Sequence, residues 1–427
     1  MKAKELINKL NNSGFKEELS VLYGDDSNVL YTQRHRYIKA IERFSEIYPD
    51  HENVHIYSAP GRSEIGGNHT DHQHGCALGA AVNLDVVAIV AFHEEGVIRL
   101  YSEGYGMTEV DLSDLEVHEE EKGKSIAIVR GIAARFAQMG VRIGGFDAYS
   151  VSDVLSGSGL SSSAAFETMV GTIIDEQYNG GKAGEIEIAK IGQYAENVDF
   201  GKGSGLLDQM VCSVGGFVFL DFRDTDNPVV EKHSFDFAKE GYNLCITDTK
   251  GSHSDLTDDY VAVPGEMKQV AAYFGKEVLR EVNEKEFYKA IPALHGKVSD
   301  RAILRAMHFF GENSRAIAEA DALDRDDLKR FFTLYRQSAN SSSSLLQNLY
   351  ATKKPLEQGI PLAIAVSKTV LGEDGAVRVH GGGFAGTIQA FVPLDKTEAY
   401  REKMDALFGA GSCYVLRIRP VGGIKIV

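Results

Sequence analysis

Two glycines and five serines, three of them consecutive, lie within Val154-Leu155-Ser156-Gly157-Ser158-Gly159-Leu160-Ser161-Ser162-Ser163-Ala164-Ala165. A β-type run precedes this stretch. Ala164 to Tyr178 reads as a helix, with Phe166, Met169, Val170, Ile173 and Ile174 on a three-to-four spacing. A glycine-rich loop opening a helix suits an anion: first-turn amides point outward and the helix dipole adds positive charge. Serine hydroxyls can hold phosphate oxygens or a hard cation such as Mg2+. The alternative is a flexible Gly/Ser linker, which the adjoining helix and apolar flanks disfavour.

A second dense stretch, Ala59 to Gly75, carries Arg62, Glu64, Asp71 and the histidines His69, His72 and His74 among several glycines. Three readings compete. His69, Asp71, His72 and His74 are all possible metal ligands, although no distant cluster of similar quality completes such a site. A carboxylate, an imidazole and an amide converging in a loop suit the hydroxyls of a sugar or polyol. The third reading is a structural turn. Further on, Gly201 to Met210 forms another glycine-rich turn. Its Asp208 sits among apolar neighbours, as a partly desolvated carboxylate would, or as a helix N-cap or turn aspartate.

These residues need elements to position them. Residues 1–50 read as a charged helical extension with a thin apolar face from Leu6, Ile7, Leu10, Leu19 and Leu22, packed as a structural cap. Val54 to Ser58 alternates like a strand and runs into the Arg62 stretch. Ala77 to Phe92 reads as buried strands with a bend, and Val97 to Val117 as further strands. A helix is expected from Ile126 to Met139 and another from about Ile186 to Val198, bearing Glu196. Gly123-Lys124-Ser125 resembles the end of a P-loop, but His118 stands where the earlier glycine is required, which rejects a Walker-type site. From about Asp224 the pattern becomes largely helical to residue 350. Strand-like segments then flank Gly381-Gly382-Gly383, whose bare backbone implies close approach to a ligand or a neighbouring domain. The expectation is an α+β chain with the extension at 1–50, an N-terminal domain at 51–223 and a C-terminal domain at 224–427.

Composition narrows the classes. The chain has 427 residues, 43% hydrophobic and 25% charged, as soluble enzymes do. A formal net charge of -16 argues against nucleic acid or an anionic membrane as partner. The four cysteines, Cys76, Cys212, Cys245 and Cys413, are far apart and form no CxxC pair, so free thiols in a reducing cytoplasm are expected. No signal peptide and no membrane-crossing run is evident.

Three separated motifs resemble one family, the GHMP small-molecule kinases, and within it the galactokinases. They are Gly61-Arg62 through His69-Thr70-Asp71, the loop Gly159-Leu160-Ser161-Ser162-Ser163-Ala164-Ala165, and Gly381-Gly382-Gly383-Phe384-Ala385-Gly386. Glu196-Asn197 and Gly205-Leu206-Leu207-Asp208-Gln209 match the segment between. The resemblance spans roughly residues 54 to 427 and implies a two-domain GHMP-kinase-like architecture, with the active site in the cleft between domains. It implies ATP and Mg2+ as cofactors and a sugar, galactose, as acceptor at its anomeric hydroxyl. Asp208 would be the base or polarising group. Arg62 would hold Asp208 ionised and stabilise the moving phosphoryl group. Ser163 and Glu196 would ligate Mg2+. Gly157, Gly159, Leu160, Ser161 and Ser162 would hold the phosphates, and Asn68, His69, Asp71, Gly205 and Tyr260 would line the sugar pocket. A monomer or weak homo-oligomer is expected.

The chain departs from the family pattern at identifiable places. Galactokinases usually have Gly-Glu-His-Thr-Asp-Tyr where this chain has Gly67-Asn68-His69-Thr70-Asp71-His72, and Asn-Leu-Ile where it has Glu64-Ile65-Gly66. An amide at 68 can still accept from a hydroxyl but loses charge assistance, worth ~1 kcal/mol. Ser125-Ile126-Ala127-Ile128 has no aromatic where family members place one beside adenine. The rival readings are a kinase for another hexose or N-acetylhexosamine, a sugar sensor of the same fold, and a histidine-rich metal hydrolase.

Overall fold

In the computed structural model, residues 1–154, 159–251 and 256–427 are described. The organising strand is Cys76–Phe92, seventeen residues long and buried almost throughout. Its near-continuous run of Ala, Val, Leu and Ile suits a strand covered on both faces. It pairs antiparallel with His55–Gly66, Phe146–Ser152 and Phe217–Asp221. Val97–Ser102 adds in parallel to Phe146–Ser152, and Gly106–Asp111 completes that edge.

Two register shifts interrupt the pairing of His55–Gly66, at Pro60/Arg62 and at Glu64/Gly66. Proline lacks the amide that a regular ladder requires, so a shift beside Pro60 is its natural place. Beyond it, side chains alternate: Arg62 and Glu64 are half-buried on one face, whereas Ser63 and Ile65 are enclosed on the other. That short alternation presents the chemistry-bearing side chains together.

Helices Ser125–Gln138, Ser162–Ile174 and Gly184–Tyr194 pack one face of the sheet through Ile128, Ile132, Met169, Ile173 and Ile191. The N-terminal helices Ala3–Asn11, Lys16–Tyr23 and Ser27–Ile47 cover the opposite face. There Leu10, Leu22, Tyr37, Ile41 and Phe44 join Ile56, Val87, Ile89 and Tyr149 in one buried cluster. A polar knot pins the cap: Asp85 accepts from Tyr23 Oη at 2.6 Å, Arg36 Nη1 at 2.6 Å and Arg419 Nη1 at 3.1 Å.

The second half builds a four-stranded antiparallel sheet, ordered Cys413–Leu416, Tyr242–Asp248, Thr387–Pro393, Ala376–Val379. Around it stand long helices, including Thr257–Tyr273, Asp300–Asp324 and Leu328–Ser341. The architecture is thus α+β with two sheets in two domains, as expected. The first sheet nevertheless recruits Val229–His233 and Ile424–Lys425 from beyond residue 223, because their partners Phe217–Asp221 and Tyr57–Ser58 lie at open edges. Local boundaries also differ. The segment expected to be one helix over 186–198 is an α-helix, Gly184–Tyr194, followed by a wider π-type turn, Ala195–Asp199. A second such turn, Ser342–Leu346, follows the helix Leu328–Ser341. Widened turns of this kind commonly mark functional positions, and here they carry Glu196 and Ser342.

Candidate active site

Arg62 and Asp208 form a two-pronged ion pair. Nε donates to Oδ1 at 2.7 Å and Nη2 lies 2.6 Å from Oδ2. The remaining Arg62 nitrogen, Nη1, donates to the carbonyl of Gly159, and Ser161 Oγ donates to Asp208 Oδ2 at 2.5 Å. Two residues from the strand His55–Gly66 and the helix Leu207–Val214 are therefore locked to the serine-rich loop. Such planar forks are the strong form of the charge-assisted hydrogen bond. Ser161 has φ 56°, a left-handed conformation uncommon for a non-glycine residue, immediately before the helix Ser162–Ile174. Gly61 explains the close approach of strand and loop: a Cβ there would stand 2.8 Å from the Leu160 carbonyl. Leu160 itself is fully buried, so its role in the loop is to anchor it.

The C-terminal glycine motif meets the same place. The His380 ring lies 3.2 Å from where a Cβ on Gly159 would stand. His380 Nε2 pairs with Ser63 Oγ at 2.9 Å, and its Nδ1 with Thr387 Oγ1 at 2.9 Å. Burial pushes this imidazole down to about 3, and neighbouring Arg62 adds to the shift. A neutral ring adds no second cation beside the Arg62 guanidinium. Gly383, at φ 78°, fits where a side chain would strike the Asn348 carbonyl. The sequence signal of close backbone approach thus has a protein partner as well as a cleft.

The residues expected around the sugar divide into two groups. Asp71 Oδ2 lies 3.0 Å from where a Cβ on Gly205 would stand, one turn before Asp208. His69 Nε2 hydrogen-bonds the Gly382 carbonyl at 2.9 Å, and Tyr260 Oη donates to the Gly383 carbonyl at 3.0 Å. Burial lowers the His69 pKa and raises that of Tyr260, so both are neutral hydrogen-bonding groups. Asn68 behaves differently. It is completely buried. Its Nδ2 donates to Glu64 Oε1 at 2.9 Å and to the Gly381 carbonyl at 2.8 Å. Its Oδ1 accepts from Asn348 Nδ2 at 3.0 Å and Ser342 Oγ at 3.3 Å. The amide is therefore a tie between segments, not an exposed wall of a pocket.

Glu196 is buried, with Oε1 paired to Lys202 Nζ at 2.6 Å and Oε2 accepting from Gln209 Nε2 at 2.8 Å. Gln209 Nε2 also donates to Glu167 Oε2 at 2.9 Å, while Glu167 Oε1 has no hydrogen-bond partner among the described residues. Burial, then the charge of Glu196, pushes the Glu167 carboxyl up to about 8. Glu167 and the exposed Ser163 line one cavity, and Glu196 is joined to Glu167 through Gln209. The histidine-rich alternative has no such geometry: among the described residues no group of three or more His, Cys, Asp or Glu is arranged to hold a metal ion.

A cavity of about 220 Å³ adjoins this region, lined by Ser162, Ser163 and Glu167 with Ser125 and Ile128. Its aromatic walls come from Tyr105, Phe166 and Phe200. The segment Ser125 to Ile128 does line the cavity but borrows its aromatics from other elements, which a search within that segment could not find. A more open depression of about 600 Å³, lined by His35, Arg36 and Lys39, lies on the N-terminal helices and contains none of the motif residues. Gly157 falls outside the described residues. Glu167, His380 and Arg378 carried no motif signal. Each was recognisable only once the fold had brought it to Arg62, Asn68 or Glu196.

Comparison with known proteins agrees with this geometry. Residues 42–92 match the galactokinase galactose-binding signature, and residues 127–216 match the GHMP kinase N-terminal domain. The galactokinase of Lactococcus lactis, crystallised with galactose, superposes with TM-score 0.74 at 25% identity over 90% of this chain and 98% of that one. A D-glycero-D-manno-heptose 1-phosphate kinase from Bacteriodes thetaiotaomicron shares the fold at TM-score 0.57 and 18% identity, over 87% of this chain and 98% of that one. So does the mevalonate kinase of L. major, solved with R-mevalonate, at 0.58 and 13%, over 87% and 97%. The matches support an ATP-dependent sugar kinase whose residues 127–216 correspond to the GHMP kinase N-terminal domain. It also carries the galactokinase galactose-binding signature and is similar in structure to a galactokinase. No helix among the described residues is long and apolar enough to cross a membrane.

Proposed function

We propose that the cleft transfers the γ-phosphate of ATP to the anomeric hydroxyl of galactose, giving galactose 1-phosphate and ADP. The observation that carries this reading is the Arg62–Asp208–Ser161 constellation, where a charged pair is held against an anion-binding loop. Phosphoryl transfer asks a protein mainly to position reactants and neutralise charge.

Each residue has a part. Asp208 receives or polarises the hydroxyl proton, and Ser161 and Arg62 fix its direction. Arg62 meets the charge that develops on the transferring group. The amides at the start of the helix Ser162–Ile174, with Gly159, Ser161 and Ser162, take the phosphate oxygens. Ser163 and Glu196 would hold Mg2+, with Glu167 beside them. That ion, when bound, neutralises phosphate charge and aligns the leaving group. His69, Asp71, Gly205 and Tyr260 shape the sugar side. Phe166 and Phe200 offer apolar faces to the adenine.

The test is ADP release with galactose, glucose, N-acetylgalactosamine and arabinose as acceptors. Galactose is expected to give the highest kcat/KM. Preference for an N-acetylhexosamine would move the assignment to another sugar kinase. Binding of both ligands without turnover would make the chain a sensor.

A further inference from the structure

We propose that Glu64, not Asn68, supplies the carboxyl group that hydrogen-bonds a hydroxyl of the sugar. The inference rests on the sugar-kinase reading and names a specificity residue within it.

The argument begins with the strand. Past the register shift at Pro60, residues 62 and 64 share the face on which Arg62 reaches Asp208. Glu64 is half-buried there. Its carboxyl feels the charges of Arg378, Arg62 and Asp71, two of which belong to the reacting side of the cleft. Its Oε1 is committed twice, to Arg378 Nη2 at 2.6 Å and to Asn68 Nδ2 at 2.9 Å. These contacts fix the orientation of the group. Its Oε2 makes no hydrogen bond among the described residues and is not sealed from solvent. A carboxyl held by one oxygen, on the strand face it shares with Arg62 and with 13% of its side chain accessible, is built to receive a polar ligand. It keeps an acceptor oxygen in either protonation state.

Asn68 cannot take that part while this framework stands. Both of its side-chain polar atoms are used by Glu64, Gly381, Asn348 and Ser342, and the residue is fully buried. A glutamate at 68 would bring a third acid to Glu64 and Glu312, the latter already accepting from the Asn68 backbone nitrogen at 3.3 Å. The two departures from the family pattern thus explain each other. An acid stands at 64 and an amide at 68, and the two touch: Asn68 Nδ2 donates to Glu64 Oε1 at 2.9 Å.

The experiment is a cycle between protein and sugar. The full chain, Glu64→Gln and Glu64→Ala are compared on galactose and on each monodeoxygalactose, with KM and kcat from ADP release and affinity from calorimetry. Glu64→Ala is expected to weaken galactose binding by roughly 10- to 100-fold. For one deoxysugar, the penalty seen in the parent chain should shrink to about twofold in the variant, since the missing partners are the same. Glu64→Gln, which keeps the shape and an acceptor oxygen but leaves buried Arg378 facing a neutral group, should show a smaller loss of galactose affinity. Unchanged penalties for every deoxysugar in Glu64→Ala would overturn the proposal. So would loss of a single penalty in Asn68→Ala instead. If the parent chain binds another hexose in place of galactose, the galactose assignment fails. The cycle then runs on that sugar's deoxy derivatives and still decides the role of Glu64.

Discussion

Gln209 ties Glu167 to Glu196: one amide nitrogen donates to both carboxylates, at 2.9 and 2.8 Å, and both acids are buried. Two acids this close repel unless a donor or cation lies between them. Gln209→Leu removes the donor and leaves both without it. The expected cost is about 3 kcal/mol, read as a fall on the order of 5 °C in the thermal midpoint. Mg2+ with a non-hydrolysable ATP analogue should restore more of that midpoint in the variant than in the parent chain, because a cation replaces the lost donor. Equal increments in both proteins would take these carboxylates out of the metal site.

The Arg62–Asp208 fork makes a separate prediction about chemistry. Asp208→Asn keeps the shape but removes the charge and the proton acceptor. Turnover is expected to fall by roughly 10³-fold, the upper range for loss of one electrostatic contact, while galactose binding by calorimetry stays within about tenfold. Arg62→Lys preserves charge but cannot make the fork, and should lose about 10²-fold in kcat. Near-normal turnover in Asp208→Asn would remove that residue from the mechanism.

What could be read in the chain beforehand follows from how locally each signal is encoded. The loop opening the helix Ser162–Ile174 and the dense stretch around Arg62 are visible because glycine, serine and charge cluster within a dozen residues. The convergence of Arg62 with Asp208 rested on resemblance, since 146 positions separate them. Arg378 and Glu64 are 314 positions apart, and nothing in either neighbourhood announces the other. Asn68 misled because a residue type suited to a sugar hydroxyl is equally suited to a buried tie. Only the count of its committed atoms separates the two. The wide turn at Ala195–Asp199 escaped because its composition is that of ordinary helix.

The cavity beside Ser162 and Ser163 predicts which substitutions touch the nucleotide alone. Phe200 lines it together with Phe166 and Ile128. Phe200→Ala removes an aromatic face whose stacking on a base is worth about 1–3 kcal/mol. The KM for ATP should rise roughly tenfold, with the KM for galactose within twofold of the parent value. A change in the sugar parameter, with ATP unaffected, would place the nucleotide elsewhere.

Asp85 gives the pH dependence of stability. Burial alone would raise its pKa, but Arg36 and Arg419, with hydrogen bonds from Ser58 and Tyr23, hold the carboxylate below the ordinary value of 3.8. The folded state therefore binds this proton more weakly than the unfolded chain. Its contribution is fully present above the unfolded value and is lost as pH falls below 3.8 toward the folded pKa. Asp85→Asn leaves Arg36 and Arg419 facing a neutral group inside the protein, at a cost of about 3–5 kcal/mol. Urea unfolding at pH 7 should show that full loss, and between pH 4 and pH 3 the parent chain should lose stability more steeply than the variant. Parallel curves over that interval would mean that Asp85 is not what fastens the N-terminal helices to the sheet.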